Sequence, residues 1–311
     1  MLPAIGAAYR SKSVCIIHKI VATDFSSRQF PGVQYRHWIA NWRDRMDSFS
    51  QVTGVLAIVA YALATSILLR ANRGGEVANT QISYRAFALA AVALHAVSIY
   101  ATVVTGAGLK FGFFPALSLT SLIIVSILIA ISILQPLEIL GVVLFPIAGM
   151  CAIGGAYASS GSSVTESQLQ WHILASVMAY SMLVLAAVQS VALAIQTHHL
   201  RTLHPQGILA HLPPIDLMEK LLFQMIAAGF VLLSISLLTG LLFLEDIFAQ
   251  HLVHKTALTV IAWLMFGTLL AGRLLRGWRG KSALVWTIGG VAFLIVGYFG
   301  SKLVLEFILA G

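Results

Sequence analysis

Apolar residues in this chain fall into long unbroken runs, not the alternation of a half-buried strand or the one-sided stripe of a surface helix. Eight runs approach or exceed the roughly 20 residues that a helix needs to cross a hydrocarbon layer. They cover Gln51–Leu69, Ala86–Val104, Phe114–Leu134, Leu137–Tyr157, Trp171–Ile195, Leu221–Leu244, Thr256–Leu275 and Ala283–Leu305. The pattern predicts an all-α fold, a polytopic transmembrane helix bundle of about eight spans. Only Gln135-Pro136 separates the third and fourth runs, which predicts a tight helical hairpin. Pro146 and the Gly154-Gly155 pair are expected to bend or loosen the fourth span, which is tolerable where neighbouring helices satisfy the freed backbone.

Composition agrees with lipid as the solvent. Hydrophobic residues make up 59% of the 311 and charged residues 10%, with mean hydropathy +0.91. Soluble domains carry about 25% charged residues, so this chain has too few to cover a water-facing surface. Its two cysteines, Cys15 and Cys151, exclude a disulfide framework, and Cys151 reads as a small buried hydrophobe. No C-x-x-C-H occurs, so thioether-linked haem is not expected. No phosphate loop, H-E-x-x-H, nucleophile elbow or carboxylate dyad is visible, and an enzyme is not expected.

Charge gives direction. The connections Arg70–Arg85, Arg201–Lys220 and Arg273–Lys281 hold nine Lys or Arg, whereas the alternate side holds only Lys110, Lys255 and Lys302. By the positive-inside rule the first set is cytoplasmic. Residues 1–45 stand apart as a basic N-terminal extension, with seven Lys or Arg against Asp24 and Asp44. These charges lie on the wrong side for that orientation. The expectation is therefore an upstream segment or disordered arm, followed by a transmembrane domain over 46–311 that starts at Met46.

Position separates the ten histidines. His18 and His37 lie in the basic extension. His198, His199, His204 and His211 belong to a cytoplasmic loop region beside Pro205 and Pro213-Pro214, and their irregular spacing is a poor metal pattern. His95 sits mid-span in Ala93-Leu94-His95-Ala96-Val97, where an imidazole needs either a partner helix or a ligand. His172, just after the interfacial anchor Trp171, and His254, beside Lys255, come at the outer ends of two spans. The topology puts them at one membrane level. Neutral imidazole is an axial haem ligand, so two such helix ends can clamp one porphyrin. His251 is a spare.

From Trp171 onward the sequence resembles the cytochrome c assembly protein family, which includes the CcmC and CcsA haem-handling proteins. The likeness is carried by His172-Ile-Leu-Ala-Ser-Val-Met-Ala-Tyr180-Ser181, Pro213-Pro214, Met218-Glu219, Leu238-Thr239-Gly240, Ile261-Ala262-Trp263, Gly277-Trp278-Arg279-Gly280 and Tyr298-Phe299-Gly300-Ser301. The G-W-R-G loop and the Y-F-G-S tail are most similar to the YpjD-like inner-membrane branch. The resemblance implies a multi-pass protein of the bacterial inner membrane that binds haem b non-covalently. It implies cytochrome c assembly or related haem handling, with haem, lipid and other membrane or cytochrome-maturation proteins as partners and no nucleic acid. His172 matches the first outer-face histidine of the haem-exporting members. Their tryptophan-rich outer segment is replaced here by Leu244–His254, which has no tryptophan, and no histidine follows Tyr298-Phe299-Gly300. The candidate cofactor-binding residues are thus His172, His254 and His95, with His172 and His254 as candidate ligands of haem iron. The alternatives are an accessory subunit of an ion or metabolite transporter, and a haem-biosynthesis regulator of the HemX type. The Arg273, Arg276, Arg279 and Lys281 cluster is read as an orientation signal that contacts anionic lipid.

Overall fold

A computed structural model describes residues 32–71, 77–105, 108–158, 162–164, 166–201, 213–243 and 250–300. The chain divides into two compact units, Met1–Met46 and Asp47–Gly311. The described part of the first unit is helical. The second contains the membrane bundle.

Among the described residues eight helices are long and apolar enough to cross a membrane. They fall in α1 (Gly32–Ala71), α2 (Val77–Val103), α3 (Phe113–Leu134), α4 (Gly141–Tyr157), α5 (Ser167–Arg201), α6 (Ile215–Phe243), α7 (Gln250–Arg276) and α8 (Lys281–Ile295), the fourth span starting at Glu138 and the eighth reaching Tyr298. The expected number and order of spans are met. Several helices run past the apolar stretch that marks them: α1 begins at Gly32, well before Met46, and α5 continues to Arg201.

Local chemistry sets the ends. Pro136 disfavours helical geometry in the residue before it, and Gln135 is extended, at φ −137° and ψ 140°. A 3₁₀ turn, Glu138–Leu140, then leads directly into α4, which completes the tight hairpin. The Arg85 guanidinium donates to the Ser132 carbonyl at 3.0 Å, a cation placed at the negative end of α3. Helix α4 continues through Pro146 and through Gly154-Gly155. The glycines let helices approach. A Cβ on Gly155 would lie 2.6 Å from Ser118 Cβ on α3, and one on Gly149 would lie 2.8 Å from Ile58 on α1. Small residues at such crossings are how helices pack closely in lipid.

Helix α5 is the hub, packing on α3, α6 and α8, while α2 packs on α3 and α4, and α7 on α6 and α8. One continuous apolar cluster runs through the bundle. Large apolar side chains also face outward, among them Val52, Val55, Leu56, Val59 and Leu63 along α1. A water-soluble monomer rarely exposes so much contiguous apolar surface; in a bilayer it meets lipid.

Three short strands, β1 (Val104–Thr105), β2 (Gly108–Phe111) and β3 (Ser162–Val164), form an antiparallel sheet in the order β1-β2-β3. The register pairs Leu109 with both Val104 and Val164. The sheet joins the α2–α3 and α4–α5 connections at the end where Lys110 lies, opposite the arginine-rich connections.

The nine-to-three Lys and Arg distribution assigns the arginine-rich end to the cytoplasm. A reporter fused after Arg279 is therefore expected to be active only in the cytoplasm, and one fused after Ser162 only on the outer side. Reversed signals would invert the orientation.

Candidate functional site

The residues scattered through the second half of the sequence gather into two polar clusters at opposite ends of the same helices. The first surrounds His172, in the second turn of α5. Trp171 beside it is exposed, as an interfacial anchor should be. The imidazole is half-buried, and its Nδ1 lies 3.1 Å from Thr239 Oγ1 on α6. Gly240 leaves room for the ring, since a Cβ there would meet His172 Cε1 at 3.0 Å. One helical turn along α5, the Ser176 hydroxyl donates to the His172 carbonyl at 2.8 Å and lies 2.6 Å from Ser236 Oγ. The two serines pin α5 to α6 next to the ring. Among the described residues Nε2 has no hydrogen-bond partner. One further turn in, Tyr180 meets Tyr298 of the closing Val296–Gly300 turn, with ring centroids 5.6 Å apart.

His254 and His251 fall in the first turns of α7, which begins at Gln250 and so adds helix before the span. Their imidazoles lie outside the described residues, as do those of His18, His37, His204 and His211.

His95 is elsewhere and fully buried. Its Nε2 is 2.9 Å from Ser118 Oγ and its Nδ1 is 3.4 Å from the Tyr61 hydroxyl, so it ties α2 to α3 and α1. Both nitrogens are engaged, and an iron ligand role there would require breaking one of these contacts. His198 and His199 are exposed near the end of α5. Among the described residues no group of three or more His, Cys, Asp or Glu side chains could hold a metal ion.

The second cluster lies at the arginine-rich end and centres on Glu219 of α6, which is 5% exposed. Arg273 of α7 donates to Glu219 Oε1 at 2.7 Å. The Arg279 Nε reaches both carboxylate oxygens, at 2.8 and 2.9 Å, and its Nη2 reaches Asp216 at 3.2 Å. Hydrogen bonding to Glu219 raises the Arg279 pKa further. Arg273 also lies over the Phe223 ring, 4.6 Å from its centroid, and donates to the Trp278 carbonyl at 3.3 Å. The loop can turn this tightly because Gly277 and Gly280 adopt φ of 65° and 55°, a region that disfavours side chains. Gly272 provides the face on which the Trp278 indole rests. Gln196 donates to the Pro213 carbonyl at 2.7 Å and Gln189 to the Met218 carbonyl at 3.3 Å. The G-W-R-G loop is therefore a structural clasp. Arg273 and Arg279, two of the four cations read as an orientation signal, also pair with acids of α6.

A cavity of about 330 Å³ opens near this clasp, lined by Ser190, Leu193, Thr197, His198, Leu222 and Lys281 among others. It shares no lining residue with the His172 cluster.

The sequence singles out His172 but not the residues that hold it. Thr239, Gly240 and Glu219 stood in the matched motifs without a physical part to play. A buried acid in the first turns of a span was the available signal for Glu219.

No solved structure matches the chain. It is 31% identical over 137 residues to "Inner membrane protein YpjD" of Escherichia coli (strain K12), covering 44% of this chain and 52% of that protein. It is 31% identical over 140 residues to an "Uncharacterized 28.8 kDa protein" of Azospirillum brasilense, with 44% and 52% covered. It is 32% identical over 88 residues to "Cytochrome c biogenesis protein CcsA" of Prochlorococcus marinus (strain NATL1A), covering 28% of each. The chain thus spans about half the length, or less, of these relatives. The eight candidate spans and the YpjD likeness make it a multi-pass inner-membrane protein. The profile described as "Cytochrome C assembly protein" matches residues 80–309, which take in both polar clusters, and the chain belongs to that family.

Proposed function

We propose that this protein binds haem b non-covalently near the outer face of the inner membrane and acts, without being an enzyme, in cytochrome c assembly or related haem handling. The observation that carries the reading is His172. Its ring is held at Nδ1 by Thr239 and given room by Gly240, while Nε2 has no partner among the described residues. A metal-binding histidine typically has its other nitrogen held in this way, so the residue suits an axial ligand. His254 is proposed as the second ligand, on the argument that both residues come at outer helix ends. Bound haem would supply an iron centre whose axial ligands, and the polarity around them, set its potential. Membership of the family, and the likeness to a cytochrome c biogenesis protein, CcsA, support the process.

A transport accessory would call for charge along a polar path. The buried acid Glu219 does not supply one, because Arg273 and Arg279 neutralise it at a helix end.

An absorption spectrum of the detergent-purified protein, as isolated and after adding haem, tests the proposal. The expected result is the low-spin spectrum of bis-imidazole iron. Protein that carries no haem and takes up none would overturn the haem reading in favour of the accessory one.

A further inference from the structure

We propose that Thr239 and Gly240 are positioning residues for His172: they select its Nδ1–H tautomer and aim Nε2, so that the ring is ready as a ligand before haem arrives. This rests on the reading of His172 as an iron ligand and adds how the ligand is prepared.

The argument runs through one hydroxyl proton. Thr239 Oγ1 lies 2.9 Å from the Ile235 carbonyl and 3.0 Å from the Ser236 carbonyl, one turn back along α6. A threonine hydroxyl has a single hydrogen and two lone pairs. In a helix that hydrogen commonly goes back to the carbonyl three or four residues earlier. Both carbonyls are closer to Oγ1 than His172 Nδ1, which is 3.1 Å away. With its proton directed at the backbone, Oγ1 faces the imidazole as an acceptor. Nδ1 must then carry the hydrogen. In a neutral ring the other nitrogen is left with its lone pair free, and that lone pair is what binds iron.

Gly240 fixes where the lone pair points. A side chain there would meet Cε1 at 3.0 Å, with Nδ1 at 3.6 Å and Nε2 at 3.8 Å. The Nδ1–Cε1–Nε2 edge of the ring therefore faces Gly240 on α6. An alanine would push it away from Thr239. The Ser176–Ser236 pair holds the two helices together on the adjacent turn, so the ring has a rigid support.

The test reads the tautomer in haem-free protein, by nitrogen NMR of ¹⁵N-histidine-labelled protein in detergent. The His172 signal is identified by its loss in His172→Gln. The expected parent signal is the Nδ1–H form, the opposite of the form that a free neutral histidine side chain prefers. Thr239→Val removes the side-chain acceptor, leaving only the Ser236 backbone beside the ring, and should move His172 toward the Nε2–H form, whereas Thr239→Ser should keep the parent signal. Titration with haem then gives a second reading. Thr239→Val should weaken low-spin haem binding by roughly 10–100-fold, the usual effect of losing an outer-shell partner of a ligand. Thr239→Ser should restore it, and Gly240→Ala should weaken it.

An Nε2–H signal in the parent overturns the proposal whatever haem does. So does measurable haem binding of equal affinity in Thr239→Val and the parent. If the parent shows the Nδ1–H form and Thr239→Val abolishes it, yet no variant binds haem, the control of the ring stands and the haem reading falls.

Discussion

His172→Ala protein, purified in detergent and mixed with haem, is expected to lose the low-spin spectrum entirely. Its haem affinity should fall by more than the roughly 10–100-fold that loss of an outer-shell partner costs. The iron would keep one strong axial ligand at most, and bis-imidazole character needs two. The variant should still fold. The side chain is only half-buried and touches one neighbouring helix, through Thr239 and the Ser236 backbone, while the Ser176–Ser236 contact that joins α5 to α6 remains. His254→Ala should behave in the same way, and His251→Ala should leave the spectrum intact. His95→Ala serves as a contrast. It breaks contacts to Ser118 and Tyr61 inside the bundle, so it should lower thermal stability and spare the spectrum. If only His95→Ala removes the spectrum, the outer-face pair is wrong and the site lies within the bilayer.

The largest loss of stability is expected from Glu219→Ala. A buried carboxylate between two guanidinium groups leaves uncompensated charge when it is removed, a change that costs about 3–5 kcal/mol in a fully buried pair. Arg273 is partly exposed and Arg279 more so, with side-chain accessibilities of 29% and 56%. Water therefore offsets part of the loss, and about 2–3 kcal/mol remains. Reversible unfolding in mixed micelles measures it. Arg279→Ala should cost much less, because its guanidinium faces solvent. Coupling Glu219→Gln with Arg273→Met should recover part of the single-variant losses, since removing both charges leaves neither unpaired. Equal losses for Glu219→Ala and Arg279→Ala would sink this account of the clasp.

The eight spans were legible because lipid imposes a length and an apolar composition on any helix that crosses it. What lay outside the lipid was less so. The sheet is built from two- to four-residue segments, too short to carry a period. Gly154-Gly155 read as a weak point because a sequence does not say what a glycine faces; it faces Ser118 and Phe114 of α3. His172 could be picked out by its place beside Trp171 and by the resemblance. Its partner Thr239 is 67 residues away, on a helix whose rotation no hydropathy pattern specifies. Glu219 is likewise 54 and 60 residues from the arginines that neutralise it. Polar pairs inside a bundle are long-range facts, visible only once the helices have docked.

The sheet at the outer end also ties folding to the order of insertion. Strand β2 emerges once α2 has crossed the bilayer, but its partner β3 reaches the same side only after α3 and α4 have crossed as a pair. A chain whose α3–α4 hairpin stalls leaves β3 behind, with a membrane between it and β2. The β2 edge then stays open, with unpaired amide and carbonyl groups that other chains can join. Register adds a second check, because a slip of one residue would turn Val164 away from the Ile99, Val103 and Ala116 cluster that Ile173 and Tyr298 also cover. Closure of these few hydrogen bonds thus marks a chain whose first half is correctly threaded, just ahead of the segment that carries His172.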